Sequence, residues 1–467
     1  MSATLYTIPS FIREYVKDKG YACPYDDMSE YIELWHSFFM AKGDFWDWDE
    51  YSNGVHLKMH RMSIHPAERV CNEWASLLLN EETTVNTEDD ACNEWLDGFL
   101  NDIDFEMRGQ ESIMRAFALG TGAWDLSIDT ETGELQLETY DARAIIPLSW
   151  NNSGITEIAL CTKVNYKGEM YDQLKMHVLE DGAYHIITRF WDGEGNPVTV
   201  DDVIDDFDTR GELPWFSVVK PAIANVCADL SPYGQSVYAS AIDVMKSVDM
   251  CYDAIFNEVD LAKMRIFISS LLVDYECDAN AEENTRYKRA LPFGNDNTIF
   301  RKVDSVQDEM ITPYAPMMRT ESQVRAYRTA VQTMGDLCGF GLDYFDIDDA
   351  GGLRTATEVS ADNSAMMRNI RKHENVLRRA IAQMCRSALH AARTFLGETL
   401  PDEGAIDIQF DDSIITDVES DKRMALSEIS TLGLDVLKVR YLVDYYGMTE
   451  EEAQAAIPER MVLDMGF

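Results

Sequence analysis

The sequence predicts an α+β protein in which a mixed helix–strand region of about 230 residues is followed by long helices interrupted by a small β-containing insert. Three observations carry this. Short alternating segments bounded by Gly, Asn and Asp turns cluster between 124 and 190. Helix-compatible runs far longer than the usual three turns follow at 231–264, 319–338 and 355–395. A cluster of strand-like runs returns between the first two of those helices.

Residues 1–60 are aromatic-rich and polar, with Phe45, Trp46 and Trp48 set among Asp44, Asp47 and Asp49; helices and a loop are expected, mobile or partner-dependent. HPAERVCNEWASLLLN, from His65 to Asn80, reads as an amphipathic helix with Pro66 in its first turn and Val70, Trp74, Leu77 and Leu78 at helical spacing. A second helix covers Glu111 to Leu119 and stops at Gly120. Strands are expected at Trp124–Ile128, Leu135–Thr139, Ile155–Lys163, Lys175–Glu180 and Tyr184–Phe190, and a solvated acidic loop at Asp201–Glu212.

From Ser231 to about Met264, Val237, Ala241, Met245, Val248, Tyr252, Ile255 and Val259 form one apolar stripe, and Asp243, Lys246, Met250, Asp253, Asn257 and Asp260 mark a much more polar face. As a helix that run would be a rod of roughly 45 Å. RIFISSLLV and NTIFRKV give strands between 265 and about 312. Val324, Tyr327, Val331, Met334 and Leu337 share a helix face, and Gly339, Gly341, Gly351 and Gly352 bracket the loop GFGLDYFDIDDAGG. Thr355 to Phe395 is a third long helix, with Thr355 and Glu358 at capping-box spacing. The tail adds one strand, Ala405–Phe410, and helices to Met461, one of them capped by Thr449.

Composition narrows the function. The 467 residues carry a formal charge of −43, the opposite of a protein that grips DNA by neutralising phosphates. Such a surface keeps a protein soluble, or lets it touch DNA without holding it. No apolar run is long enough to span a membrane and no secretory leader opens the chain, so synthesis in the host cytoplasm is expected. Nine cysteines without a CxxC pair read as free thiols.

No GxxxxGK[ST], GxSxG, HExxH or strand-following GxGxxG occurs, so no catalytic residue and no cofactor is expected. His56 and His60 are an i,i+4 pair with no carboxylate between them. The cluster Asp343, Asp346, Asp348 and Asp349 fails as a calcium loop: Asp346 as first ligand puts Ala350 at position five and Thr357 at position twelve. No metal is expected there. The cluster reads as a solvated acidic loop, or as one projecting its carboxylates with Tyr344 and Phe345 into a shared space. Between Arg354 and Arg393, eight Lys/Arg stand against three acids. This basic stretch, with Arg354, Arg368, Arg371 and Lys372 toward its start, pairs with carboxylates of its own or a neighbouring subunit, or faces DNA.

Trp215 to Ser269, WFSVVKPAIANVCADLSPYGQSVYASAIDVMKSVDMCYDAIFNEVDLAKMRIFIS, resembles the portal proteins of tailed bacteriophages with long non-contractile tails. There a Lys-Pro, an Asn and Ser-Pro-x-Gly-x-Ser precede the first stem helix. LRTATEVSADNSAMMRNIRKHENVLRRAI (Leu353 to Ile381) is similar to the Thr-Ala-Thr-Glu-Val opening of that family's long helix, and ERVCNEWASLLLNEE, ALGTGAW, IIPLSWNNSGITEIAL and GMTEEEA are similar in kind.

The resemblance runs collinearly from about 65 to 460 and implies a phage-portal fold: a wing at 1–230, stem helices at 231–264 and 319–338, and a clip at 265–318. A tunnel loop at 339–354, a long wing and crown helix at 355–395, and a C-terminal strand with crown helices at 396–467 complete it. It implies a non-enzymatic ring, usually a dodecamer, at one capsid vertex of the virion. Double-stranded DNA would pass through transiently. The terminase large subunit, the head-to-tail connector, and the major capsid and scaffolding proteins would be its partners. The loop residues Asp343, Tyr344, Phe345, Asp346, Asp348 and Asp349 would then face DNA. Two other readings stand beside this one: a metal-dependent nuclease or phosphatase using Asp343, Asp346 and Asp348, and an acidic scaffold or adaptor.

Overall fold

Helices form where apolar residues recur every three or four positions, and the first two, Ser10–Asp18 (α1) and Tyr25–Phe39 (α2), turn Ile12, Val16, Met28, Ile32 and Trp35 inward until they are fully buried. In this computed structural model the described residues are 7–52, 55–80, 83–129, 132–200, 203–269, 275–277, 287–289, 299–302, 311–345, 356–410, 426, 429 and 435–446. The N-terminal helices are thus part of the main core, against the expectation of a partner-dependent segment. The aromatic stretch after them is an antiparallel hairpin, Asp47–Ser52 (β1) with Val55–His60 (β2), where the sequence pointed to a loop.

Pro66–Leu78 (α3) follows its proline as predicted. Thr84–Asn86 (β3) comes next, then Asp90–Asp102 (α4), which the sequence reading missed, and Phe105–Leu119 (α5), a turn and a half longer than predicted. The Asp89 carboxylate caps α4 by accepting from Cys92 N, and Gly120 ends α5 with φ +82°.

Two antiparallel sheets come next. Gly122–Ile128 (β4) and Leu135–Asp141 (β5) belong to the smaller. Ile145–Asn151 (β6), Gly154–Tyr166 (β7), Glu169–Glu180 (β8), Ala183–Trp191 (β9) and Pro197–Val198 (β10) make the larger, in the order β10-β9-β8-β7-β6. Asp206–Asp208 (β11) also pairs with β9, so the acidic stretch is partly strand and buries Thr209 completely. Phe216–Val219 (β12) returns to the smaller sheet, order β12-β4-β5. Ala123, Tyr140, Ile158, Leu160, Tyr184 and Phe216 fill the space between the sheets. Both faces of β8 are therefore covered, and its middle does not alternate in burial.

The long helices follow. Ile242–Leu261 (α6) and Thr320–Leu337 (α7) pack on each other, with Tyr252 and Tyr327 in ring contact. Between them lie Arg265–Ser269 (β13), Tyr275–Cys277 (β14), Tyr287–Arg289 (β15), Ile299–Lys302 (β16) and Ile311–Tyr314 (β17); β13 sits between a parallel β16 and an antiparallel β17. Ala356–Ala391 (α8), with no Gly or Pro inside, spans roughly 54 Å. It buries Met366, Ile370, His373, Leu377, Ile381, Met384 and Ala388 at helical spacing and runs on into a π-helical turn, Ala392–Leu396, which stops at Gly397, φ +77°. Asp407–Gln409 (β18) pairs with β3, and Asp435–Tyr446 (α9) is the last described element. Thr355 and Thr449, predicted caps, lie outside the described residues.

The rod predicted from 231 begins at Ile242. Its first residues instead hydrogen-bond to distant parts of the chain. Gly234 N donates to Thr121 Oγ1 at 2.9 Å, Val237 N donates to Phe117 O at 3.0 Å, and Tyr238 Oη donates to Trp35 O at 2.8 Å. A helix begun at 231 would need the Val237 amide for its own ladder.

Candidate functional site

Portions of the chain with functional potential are the root of the glycine-bracketed loop, the exposed face of α8 and the α6–α7 rod pair. The loop leaves α7 through Cys338, whose carbonyl accepts from Trp74 Nε1 at 3.1 Å, and through Gly339 at φ +94°, whose carbonyl accepts from Asn369 Nδ2 at 2.9 Å. Both bonds reach other helices, α3 and α8, so the loop's start is fixed on two sides. Phe340 is buried against Trp74, ring centroids 4.5 Å apart.

Tyr344 and Phe345, read from the sequence as projecting side chains, are part of this root. Phe345 is 8% exposed, in edge contact with Phe340 and Tyr344 and beneath the Arg69 guanidinium. Tyr344 Oη donates to a Glu73 carboxylate oxygen at 3.0 Å; partial burial, then Glu73, raise its pKa above the ordinary range. Asp343 is partly exposed beside them. Asp346, Asp348, Asp349 and Arg354 lie outside the described residues. Among the described residues no group of His, Cys, Asp and Glu is arranged to hold a metal ion.

Arg368, Arg371 and Lys372 are all exposed on α8, and Arg379 continues their stripe at helical spacing. The opposite face holds His373, whose Nδ1 accepts from Ala222 N at 3.0 Å. That bond needs a neutral ring, and burial, helped by Lys372, pushes its pKa down to about 4.

The first rod, α6, is tied at its insert end to the start of α7 and nearer the core to the segments flanking the β1–β2 hairpin. At the insert end Arg319 donates to Glu258 through Nη2 at 2.7 Å and Nε at 3.2 Å, which, with the Arg319 backbone amide, holds the Glu258 carboxyl at about 2. Nearer the core, Asp249 on α6 is fully buried and accepts from Trp46 Nε1 at 2.8 Å, Ser63 Oγ at 2.7 Å and Ile64 N at 3.1 Å. This carboxylate fastens the base of the β1–β2 hairpin to the rod.

A second buried charge cluster joins the two sheets. Lys175 Nζ donates to Asp125 Oδ2 at 3.3 Å and Glu138 Oε1 at 2.7 Å, and His177 Nε2 lies 3.0 Å from Asp125 Oδ1. Burial alone would raise the Asp125 pKa, but Lys175 and His177 outweigh it and keep it below the ordinary range. The Lys175 ammonium, bridging carboxylates of β4 and β5, fixes one sheet on the other. Sequence reading overlooked both clusters. For the second, the local signal is Lys175 and His177 within the buried middle of β8.

Paired rods with a β insert between them, followed by a loop rooted in the core, define the plan of the second half of this chain. The phage portal protein family model, described as SPP1 Gp6-like, matches residues 25–432. The chain belongs to the phage portal protein family, whose members form the portal ring at a capsid vertex, and it is thereby a virion component.

No curated protein matches it. Among solved structures it is similar to the virion of a native gene transfer agent (GTA) particle, with TM-score 0.42, 9% identity, and 86% of this chain and 90% of that chain covered. The neck of the native GTA particle with C12 symmetry follows at TM-score 0.41, 10% identity and 84% and 90% coverage. The neck of the empty particle with C6 symmetry stands at 0.41, 10%, 79% and 85%. Among the described residues no helix is long and apolar enough to cross a membrane.

Proposed function

We propose that this chain closes into a homo-oligomeric ring, a dodecamer, through which double-stranded DNA enters during packaging and leaves at ejection. The α6–α7 pair forms the stem, 265–318 the clip, residues before about 230 the wing, and the loop 339–354 lines the channel. The terminase large subunit docks on the clip side during packaging, and the head-to-tail connector replaces it. Major capsid and scaffolding proteins surround the wing. Assembly takes place in the host cytoplasm. The chain supplies no ATP hydrolysis of its own; the motor is the terminase.

One observation carries this reading. The rods expose large apolar side chains that a lone subunit leaves in water: Met250 at 51%, Phe256 at 45%, Val259 at 48% and Val324 at 52%. Repeating one heterologous contact by rotation buries such surfaces on every copy and leaves no free end. Negative-stain images and mass measurement of the purified protein test it. Rings with a central hole are expected, and a monomer mass across a wide concentration range overturns the proposal.

A further inference from the structure

The hairpin β1–β2 is an unusual appendage. It is a two-stranded sheet with no third strand among the described residues, and such ribbons are marginal in water by themselves. His56, Leu57, Lys58, Met59 and His60 are all exposed, Leu57 by 43% and Met59 by 36%. Strand β2 thus alternates basic with apolar residues and contains no acid. Its base does not swing freely, because Asp249 holds Trp46, Ser63 and Ile64 to α6.

A matching surface lies elsewhere on the subunit. Strand β5 is the terminal strand of its sheet, seven residues long against six in β2. Beside it runs an open cavity of about 1110 Å³ between the strand and α4. Trp95 and Phe99 stack in its wall, centroids 5.5 Å apart and planes 9° from parallel. Glu94, Asp102 and Glu134 line it with the cation Arg108, and Glu138, also in its lining, is held by Lys175. An open strand edge offers unpaired amides and carbonyls to an incoming strand. The aromatic wall suits apolar side chains, and the three carboxylates Glu94, Asp102 and Glu134 suit cations.

We propose that strand β2 of one subunit adds to the β5 edge of the next, so that each portal subunit clasps its neighbour through a shared sheet. Leu57 and Met59 pack toward Trp95 and Phe99, and Lys58 meets the acidic rim. Every copy presents one donor strand and one acceptor edge, the heterologous arrangement a ring repeats. The inference rests on the ring reading above and adds the surface that joins neighbours.

A photo-crosslinking amino acid in place of Leu57 in the full-length protein tests it. Rings joined by crosslinks from position 57 to peptides spanning 133–139 or 94–99 of another subunit are the expected result. Rings whose crosslinks map elsewhere, or only within one subunit, overturn the clasp and leave the ring reading standing. Absence of rings by negative stain overturns both. A charge swap gives an independent readout: Lys58→Glu should raise the concentration for half-assembly about fivefold, and Glu134→Lys added to it should bring that back to within about twofold. No change on Lys58→Glu, or a change Glu134→Lys does not reverse, counts against the clasp.

Discussion

His373 shows how a single residue takes its chemistry from its surroundings. It sits in edge or tilted contact with Trp74 and Phe117, 4.7 and 5.0 Å away, and its Nδ1 accepts the Ala222 amide, so it is neutral in the folded protein. An unfolded histidine protonates near pH 6.5, whereas this one waits until about 4. Between those values the unfolded chain binds the extra proton, so stability present above pH 6.5 is lost as pH falls. Each pKa unit corresponds to about 1.4 kcal/mol. His36, also pushed down to about 4 by burial and by Arg143, adds to the same loss. His373→Gln should flatten the fall in thermal midpoint between pH 6.5 and 4.5 relative to the unmodified protein. An unchanged slope in calorimetry would show that the ring is not buried neutral. Asp249 and the Lys175 cluster make the same point: neither belongs to a recognisable motif, and both matter because their partners come from far along the chain.

At the scale of elements, α3, α7, α8 and most strands were legible because period and punctuation suffice for them. The α8 stripe from Met366 to Ala388 needs only its own spacing, and α5 stops at Gly120 because that position requires φ +82°. The junction before α6 was not legible. SPYGQSVY is compatible with helix, yet Gly234 is pressed against Gly120: a methyl there would lie 2.1 Å from the Gly120 carbonyl oxygen. Gly234→Ala should therefore cost about 3 kcal/mol or more, since backbone on both sides must move. Gly98→Ala in α4, where a methyl meets nothing within 4 Å, should be neutral or stabilise by up to about 1 kcal/mol. Urea denaturation of the two variants checks the contrast, and equal midpoints would refute the close approach.

For the whole molecule the dominant quantity is charge. A formal −43 per chain is multiplied in a ring, and a channel lined by like charge repels the phosphates it conducts. The exposed basic stripe Arg368, Arg371, Lys372 and Arg379 runs against that field. If the loop lines the channel as proposed, replacing Asp346, Asp348 and Asp349 by Lys should leave ring assembly nearly intact, because charge changes on a solvated surface shift stability by about 0.5 kcal/mol or less. DNA packaging or retention should change, with tighter binding at low salt, since each added cation can hold a phosphate. Normal packaging and ejection by the triple variant would show that the loop does not face DNA. Failure to form rings would show that the aspartates are structural.

By itself the sequence determined the succession of elements: a mixed first region, rod, β insert, rod, glycine-bracketed loop and very long helix, together with the acidic surface and the absence of catalytic motifs. These follow from period, punctuation and composition, which are local. The tertiary structure alone decided where α6 begins, that residues 47–60 form a hairpin fastened by Asp249, that Lys175 bridges two sheets, and that Phe345 anchors the loop. Each depends on close approach or burial between residues separated by tens to hundreds of positions. A side chain's neighbours across the fold, and the loss of water around it, leave no trace in the residues beside it.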